Sequence, residues 1–490
     1  MITNDSQKLF NNSIFYSIGT VLSKAVGFFL VPIYTYFLTS EDYGIGTTLT
    51  TFVSTFGIVV MLSLRAAMIR FYNDYDKEDK RRFVGTILCF VLINAAVICS
   101  LLCIAHPLYE RILFKDIDFF PYVFWGVLSL GAEGIYLVYQ SLTQARQDGK
   151  TFSLNSIVYL FFHFFAVVLL VAVLKLGALG MILSCFVTNF CFAAYGVISM
   201  CRKHMLVFCL NRQMLVKALK YSVPILPHNL ANNLNTYAVK LIINNFVGYA
   251  VSGLYTLASQ FSTIVNMVQN SVNLAFRPWF VEQMQNGEEG RAQIKHTSCM
   301  LMSILSFFCV GVSLFSKEAI LILAEKTYVD AWLFVPVFVL GQLISYIYFC
   351  HVQTLMYNIR MSKYVAVCSF SGLLTNVLLC LALVEKLGVY AMLIALIVSR
   401  IVLCAVTVLM SNRAENVDFG LWRMLGQMGV YCVSAGVGMW ISTRSGASFH
   451  WGAVGVKAVL AIAAGLVLLV PYRKDYWKLL KGFLKKDHAK

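Results

Sequence analysis

Charge is what this chain has least of for its size. Of 490 residues only 13% are Asp, Glu, Lys or Arg, while 59% are hydrophobic and the mean hydropathy is +0.74. A water-soluble fold of this length needs far more charge to cover its surface, so that class is excluded. Paired thiols are missing too. None of the fourteen cysteines forms a Cys-x-x-Cys pair, and no His/Cys cluster has metal-ligand spacing. Cys99 and Cys103 share a helix face, but two thiols make a weak site. Others, such as Cys185, Cys309 and Cys404, stand singly in apolar runs as small filler. No metal and no organic cofactor is therefore expected. Eight prolines and 31 glycines exclude low-complexity and collagenous chains. The opening MITNDSQKLFNN lacks a basic segment followed by a small-residue cleavage site, so a retained first helix is expected rather than a signal peptide.

Long apolar stretches are abundant. The expected fold is an all-α polytopic membrane protein, and the stretches number about fourteen by length. Spans 1 to 6 are 10–37, 44–64, 83–105, 120–142, 153–175 and 177–200. Spans 7 to 12 are 219–246, 250–273, 297–316, 331–357, 363–384 and 387–411, and spans 13 and 14 are 424–443 and 450–471. With the N-terminus inside, the inner segments hold 28 of the 39 lysines and arginines, the outer loops 7 and the spans 4. That bias places both termini in the cytoplasm. The net charge of +16 then reflects topology and attraction to anionic lipid rather than nucleic acid, which is not an expected partner. The tail 473–490 puts Trp477, Leu480 and Leu484 on one face among lysines, so it reads as an interfacial helix or simply as a basic tail.

Two stretches recur. Phe37–Thr47 (FLTSEDYGIGT) aligns with Phe246–Thr256 (FVGYAVSGLYT) at an offset of 209, and Lys175–Ser184 aligns with Lys386–Ala395 at 211. Lys150 and Lys363 open spans 5 and 11 at 213. Spans 1–6 (residues 1–211) and 7–12 (212–413) are then two copies of one six-helix lobe, with 414–472 carrying two extra helices. Six is an even number, so both copies enter from the same side. The repeat is parallel, about an axis along the membrane normal, an arrangement suited to alternating access.

Polar residues follow the helical period. Span 1 carries Ser13, Ser17, Thr20 and Lys24; span 7 carries Asn229, Asn233, Thr236, Lys240 and Asn244. Span 8 carries Ser252, Thr256, Ser259, Thr263, Asn266, Asn270 and Asn273, ending at Arg277, and span 2 is rich in threonine and ends at Arg65. Ser, Thr and Asn also glue membrane helices together, which accounts for span 2. Spans 7 and 8 carry too many amides for packing alone to satisfy, and a water-filled cavity lined by spans 1, 2, 7 and 8 is expected. Lys24 and Arg400 lie too deep for easy snorkelling; Lys240 and Lys457 lie close enough to an outer end to snorkel. Glu133 is the one comparably deep acid, and His163, His228 and His351 read as packing residues. A cavity bearing Lys24, Arg65, Lys240, Arg277 and Arg400 is cationic, as an anionic, phosphate-bearing substrate requires. Pro32, Pro224, Pro227 and Pro336 are candidate bends or hinges, and Arg277-Pro278-Trp279 is expected to end span 8.

Span 1 with Pro32, followed by Leu38-Thr-Ser-Glu-Asp-Tyr-Gly44, resembles the signature of the polysaccharide-biosynthesis flippases. These are Wzx-type lipid-linked oligosaccharide translocases of the superfamily that also holds MATE drug antiporters. Lys220-Tyr-Ser-Val-Pro-Ile-Leu-Pro-His228 is similar to that family's span 7, and the likeness runs over essentially the whole chain. It implies transfer of undecaprenyl-diphosphate-linked oligosaccharide from the inner to the outer leaflet of a bacterial plasma membrane, for O-antigen, capsule or exopolysaccharide. It also implies a transporter rather than an enzyme, working beside polysaccharide polymerase machinery. Proton or sodium coupling is expected, with Glu133 either a proton carrier or a salt-bridge partner of Lys24. Relatives often carry an acid beside the base late in span 7, whereas this chain has Tyr237-Ala-Val-Lys240. The alternatives are a cation-coupled multidrug antiporter, or a membrane glycan polymerase or ligase. The antiporter wants more carboxylates. The polymerase or ligase wants a larger outer loop than the roughly 15 residues the span limits allow.

Overall fold

A computed structural model describes residues 27–114, 117–358, 361, 364–446 and 448–477. Thr20, Lys24, Lys363, the side chain of His228 and the tail beyond residue 477 lie outside what is described. The described helices, in chain order, are α1 (Val31–Phe37), α2 (Ser40–Met61), α3 (Leu64–Phe71), α4 (Lys77–Ile104), α5 (His106–Leu113) and α6 (Phe124–Ala145). There follow α7 (Gly149–Val167), α8 (Gly177–Arg202), α9 (Arg212–Ser222), α10 (Leu226–Phe246), α11 (Tyr249–Gln285) and α12 (Gly287–Leu314). The chain closes with α13 (Ser316–Leu323), α14 (Val335–Tyr357), α15 (Tyr364–Leu387), α16 (Val389–Ala414), α17 (Leu421–Arg444) and α18 (Trp451–Leu469).

Among the described residues, eleven helices are long and apolar enough to cross a membrane, and the chain is a multi-pass membrane protein. Each coincides with one of the fourteen expected spans. Of the other three, span 1 is described only from residue 27, and spans 7 and 8 are the long helices α10 and α11. Their asparagine rows lower their hydropathy, although α10 has 21 residues and α11 has 37.

Prolines sit where a helix can start. The helical turn before Leu30 breaks there and α1 restarts with Pro32 in its first turn. Expected span 7 is divided into α9, a 3-10 turn at Val223–Ile225 holding Pro224, and α10 with Pro227 in its first turn. A first-turn proline forfeits no intrahelical N–H bond. Pro278 overturns the expectation for span 8: α11 does not end there but runs on to Gln285. Phe276 and Phe280, 7% and 1% exposed, flank the proline. Phe280 stacks on Phe419 with ring centroids 6.0 Å apart, so burial on either side carries the helix through the missing bond.

The chain forms two compact units, Met1–Thr256 with Leu379–Met392 and Leu257–Leu378 with Leu393–Lys490. In the first, α6 packs against α2, α4 and α8 around Phe52, Val60, Ile87, Val127 and Leu142. In the second, α12 packs against α14, α17 and α18. Tyr431, 1% exposed, meets Ser313 at 2.7 Å and donates to the Pro336 carbonyl at 2.7 Å, tying α17 to α12 and α14.

Lys457 does not snorkel. It is fully buried on α18 and its Nζ lies 2.6 and 2.9 Å from the two oxygens of Glu318 on α13, an acid that no sequence pattern singles out. Removing one partner of a buried ion pair strands the other, at a cost of about 3–5 kcal/mol, whereas replacing both by apolar groups is often neutral. Lys457→Met should therefore lower the thermal midpoint of the detergent-solubilised protein sharply, and adding Glu318→Leu should restore most of the loss.

Candidate functional site

The stretch Leu38–Gly44 is an assembly of structural devices. Thr39 caps α2, its Oγ1 accepting from the Asp42 N–H at 3.1 Å and donating to Asp42 Oδ2 at 2.9 Å. The other Asp42 oxygen accepts the Ala178 N–H at 3.3 Å, which ties the start of α2 to the start of α8. Tyr43 is 1% exposed. Gly44 faces α11 so closely that a Cβ there would collide with the Tyr249 carbonyl, and a Cβ at Gly253 would collide with that of Ser40. Gly253 and Tyr249 are the repeat partners of Gly44 and Ser40, so the contact is self-complementary in the manner of a two-fold axis. Thr47 and Thr256, a further pair 209 residues apart, meet at 3.4 Å.

The threonines of α2 continue this seam onto α10. Lys240 is 6% exposed. Its Nζ donates to the Thr47 carbonyl at 3.1 Å and to Thr51 Oγ1 at 3.0 Å. Asn244 Nδ2 donates to Thr48 Oγ1 at 3.0 Å, and Asn229 Nδ2 to Ser63 Oγ at 3.2 Å. Lys240 does not snorkel either: it is buried, with its Nζ bonded to one carbonyl and one hydroxyl of α2. Half-buried Asn233 and exposed Thr236 lie on the same helix.

The second unit carries an amide seam between α11 and α14. Asn266 donates to Gln342 Oε1 at 3.4 Å, Asn270 to Asn266 at 2.6 Å, and Gln353 to Asn273 at 2.9 Å. Gln269 donates to the Gln342 carbonyl at 3.4 Å. Thr263 bonds back to the Ser259 carbonyl at 3.3 Å. Gln342 and Gln353 thus complete the row that the sequence showed only on span 8. Their signal was two amides within a largely apolar span 10.

Among the cations, Arg65 is exposed at the start of α3 and donates to Gln144 at 3.0 Å. Lys240 is the buried residue just described. In the second unit Arg277 is exposed on α11, and Arg400 is half-buried on α16, in electrostatic contact with Tyr348 and Cys404. Glu133 is half-buried on α6 opposite Gly57, in electrostatic contact with Tyr159 and Cys185, and makes no ion pair among the described residues. Around it runs a hydrogen-bonded chain. Tyr159 donates to Asn189 at 2.7 Å, Asn189 to Ser129 at 3.0 Å, and His163 meets Thr188 at 3.2 Å. His351 bonds the Ile347 carbonyl at 3.0 Å. No group of three His, Cys, Asp or Glu among the described residues could hold a metal.

The sequence profile described as "Polysaccharide biosynthesis protein" matches residues 9–284, more than half of the chain. The chain belongs to that family. Lsg locus putative protein 1 of Haemophilus influenzae is 23% identical over 292 residues, 57% of this chain and 67% of its own length. The fold is that of solved membrane transporters. The lipid II flippase MurJ in an inward closed conformation matches 94% of this chain and 99% of its own, with a TM-score of 0.69 and 13% identity. A point mutant of the Vibrio cholerae MATE transporter VcmN matches 84% and 98%, with a TM-score of 0.57 and 14% identity.

For this family member the Lys240 contacts give a sharp expectation. Hydrogen bonds between membrane helices are worth about 0.6 kcal/mol on average and reach about 1.7, and no carboxylate is stranded when the lysine goes. Lys240→Met should shift the thermal midpoint little, whereas Gly253→Leu, which drives a side chain into the Ser40 carbonyl, should cost about 1–3 kcal/mol or more. A melting series in one detergent checks both.

Proposed function

We propose that the protein moves a lipid-linked oligosaccharide, carried on undecaprenyl diphosphate, from the inner to the outer leaflet of a bacterial inner membrane by alternating access. Family membership over residues 9–284 carries this reading. The MurJ-like fold supports it, and so does the surplus of cations over acids at depth. The lysine and arginine bias supports both termini in the cytoplasm. The repeat supports two six-helix lobes, 1–211 and 212–413, followed by the pair 414–472 and the tail 473–490.

In this reading Lys24 and Arg400, with Arg65, Lys240 and Arg277, hold the diphosphate, and the Asn, Ser and Thr rows hydrogen-bond the sugars. The lipid remains in hydrocarbon. Each charge-assisted contact contributes about 1.5–3 kcal/mol, so several must act together to replace the water around a diphosphate. The protein transfers no chemical group and acts as a transporter beside the polymerase that extends the glycan. Glu133, without a cation partner among the described residues, is the proposed coupling group for a proton or sodium ion, and Pro32, Pro224 and Pro227 are the proposed hinges. A drug antiporter shares the fold, but the family profile favours the glycan lipid.

Lys24→Ala and Arg400→Ala should each lower flux of the glycan lipid by about tenfold or more, with glycan lipid accumulating in the inner leaflet and the protein still in the membrane. Normal surface glycan in both variants overturns the assignment, and resistance to cationic dyes on overexpression would support the antiporter instead. Flux in vesicles with and without a proton gradient, and with sodium replaced by choline, should lose its ion dependence in Glu133→Gln.

A further inference from the structure

We infer that the second unit holds one anionic glycerophospholipid in a cavity between α12, α17 and the end of α18. The cavity has a volume of about 460 Å³. Its polar end is made by His296 of α12 with Arg423 and Gln427 of α17, and its apolar walls include Val430, Val467 and Leu468. That division, a cation at helix ends and hydrocarbon along helix flanks, matches a phosphodiester above an acyl chain.

The charges select the headgroup. Three acids at this end of the unit already have ion-pair or hydrogen-bond partners. Glu415 is bound by Arg291 at 2.7 Å, Asp418 by Lys295 at 2.6 Å, and Asp475 by His296 at 3.0 Å. The bond from Lys295 also holds the Asp418 carboxyl below its ordinary value. Gln427 Nε2 is committed to the Cys299 carbonyl at 3.1 Å. Arg423, exposed on the cavity rim, makes no ion pair or hydrogen bond among the described residues. Its guanidinium acts on Asp418 only through space, and one guanidinium without a close partner matches the single negative charge of a phosphodiester, whereas a diphosphate would need more. Val467, 60% exposed, opens the wall to hydrocarbon, which favours a lipid over a soluble anion. On the lysine and arginine bias this end lies in the inner leaflet. The site is separate from the proposed path of the glycan lipid, and its occupancy does not depend on transport.

The test uses the purified full-length chain in detergent, with thermal midpoints and native mass spectrometry read after adding phosphatidylglycerol or phosphatidylcholine. Phosphatidylglycerol should raise the midpoint above that in phosphatidylcholine and remain bound. Arg423→Gln should weaken its retention about tenfold and abolish the difference between the lipids, with the midpoint in phosphatidylcholine unchanged. Gly426→Leu fills the cavity from its wall, at a position where a Cβ meets nothing within 4 Å, and should abolish the same difference. It carries the test if Arg423→Gln does not fold. Arg291→Gln should retain the difference. A preserved phosphatidylglycerol effect in folded Arg423→Gln or in Gly426→Leu overturns the site. So does an equal shift from glycerol phosphate alone, which would make it a free-phosphate site, or displacement by undecaprenyl phosphate at equal concentration, which would make it part of the cargo path.

Discussion

The close crossing of α2 and α11 is the constraint on which the first unit depends. Two backbones can approach this far only where neither carries a side chain, and Gly44 and Gly253 meet that demand from equivalent places in the two copies. Because the contact is self-complementary, one glycine cannot change without the other feeling it. The approach also decides what lies along α2 beyond the crossing. One turn on, Thr47 faces Thr256. In the same turn Thr48 meets Asn244, and one turn further Thr51 meets Lys240.

Within the membrane the protein treats its buried charges in two ways. Lys457 has a carboxylate within 2.6 Å and no exposed surface, so it is fixed as part of the scaffold. Lys240 has only a carbonyl and a hydroxyl. Lys240 is thus held by uncharged ligands, whereas the charge of Lys457 is answered by Glu318. Glu133 is the acidic counterpart, a carboxylate flanked by Tyr159 and Cys185 rather than by a cation.

Much of the architecture was legible because membrane spans announce themselves by length and hydropathy, and all eleven apolar helices coincide with expected spans. Gly44 and Gly253, which the expected repeat aligns, sit where sterics permit only glycine. Pairing was not legible. Glu318 stands in a short helix outside the main spans, and nothing in spacing links it to Lys457, 139 residues later. Gln342 and Gln353 were not singled out because an amide row becomes a seam only when its neighbour is known. Pro278 misled for the opposite reason: a local rule for breaking helices yielded to the burial of Phe276 and Phe280, which only the folded chain shows.

The Glu318–Lys457 pair also has a consequence for biogenesis. Spans enter the bilayer in order, so Glu318 arrives while its cation is still 139 residues from being made. Throughout synthesis of α14 to α17 the acid lacks its buried ion-pair partner, and a chain that stops before α18 never gains it. The pair therefore closes only once α18 is in place. A quality-control protease that recognises an unpaired charge in hydrocarbon would discriminate finished molecules from truncated ones by this one bond, with no need to inspect the transport path.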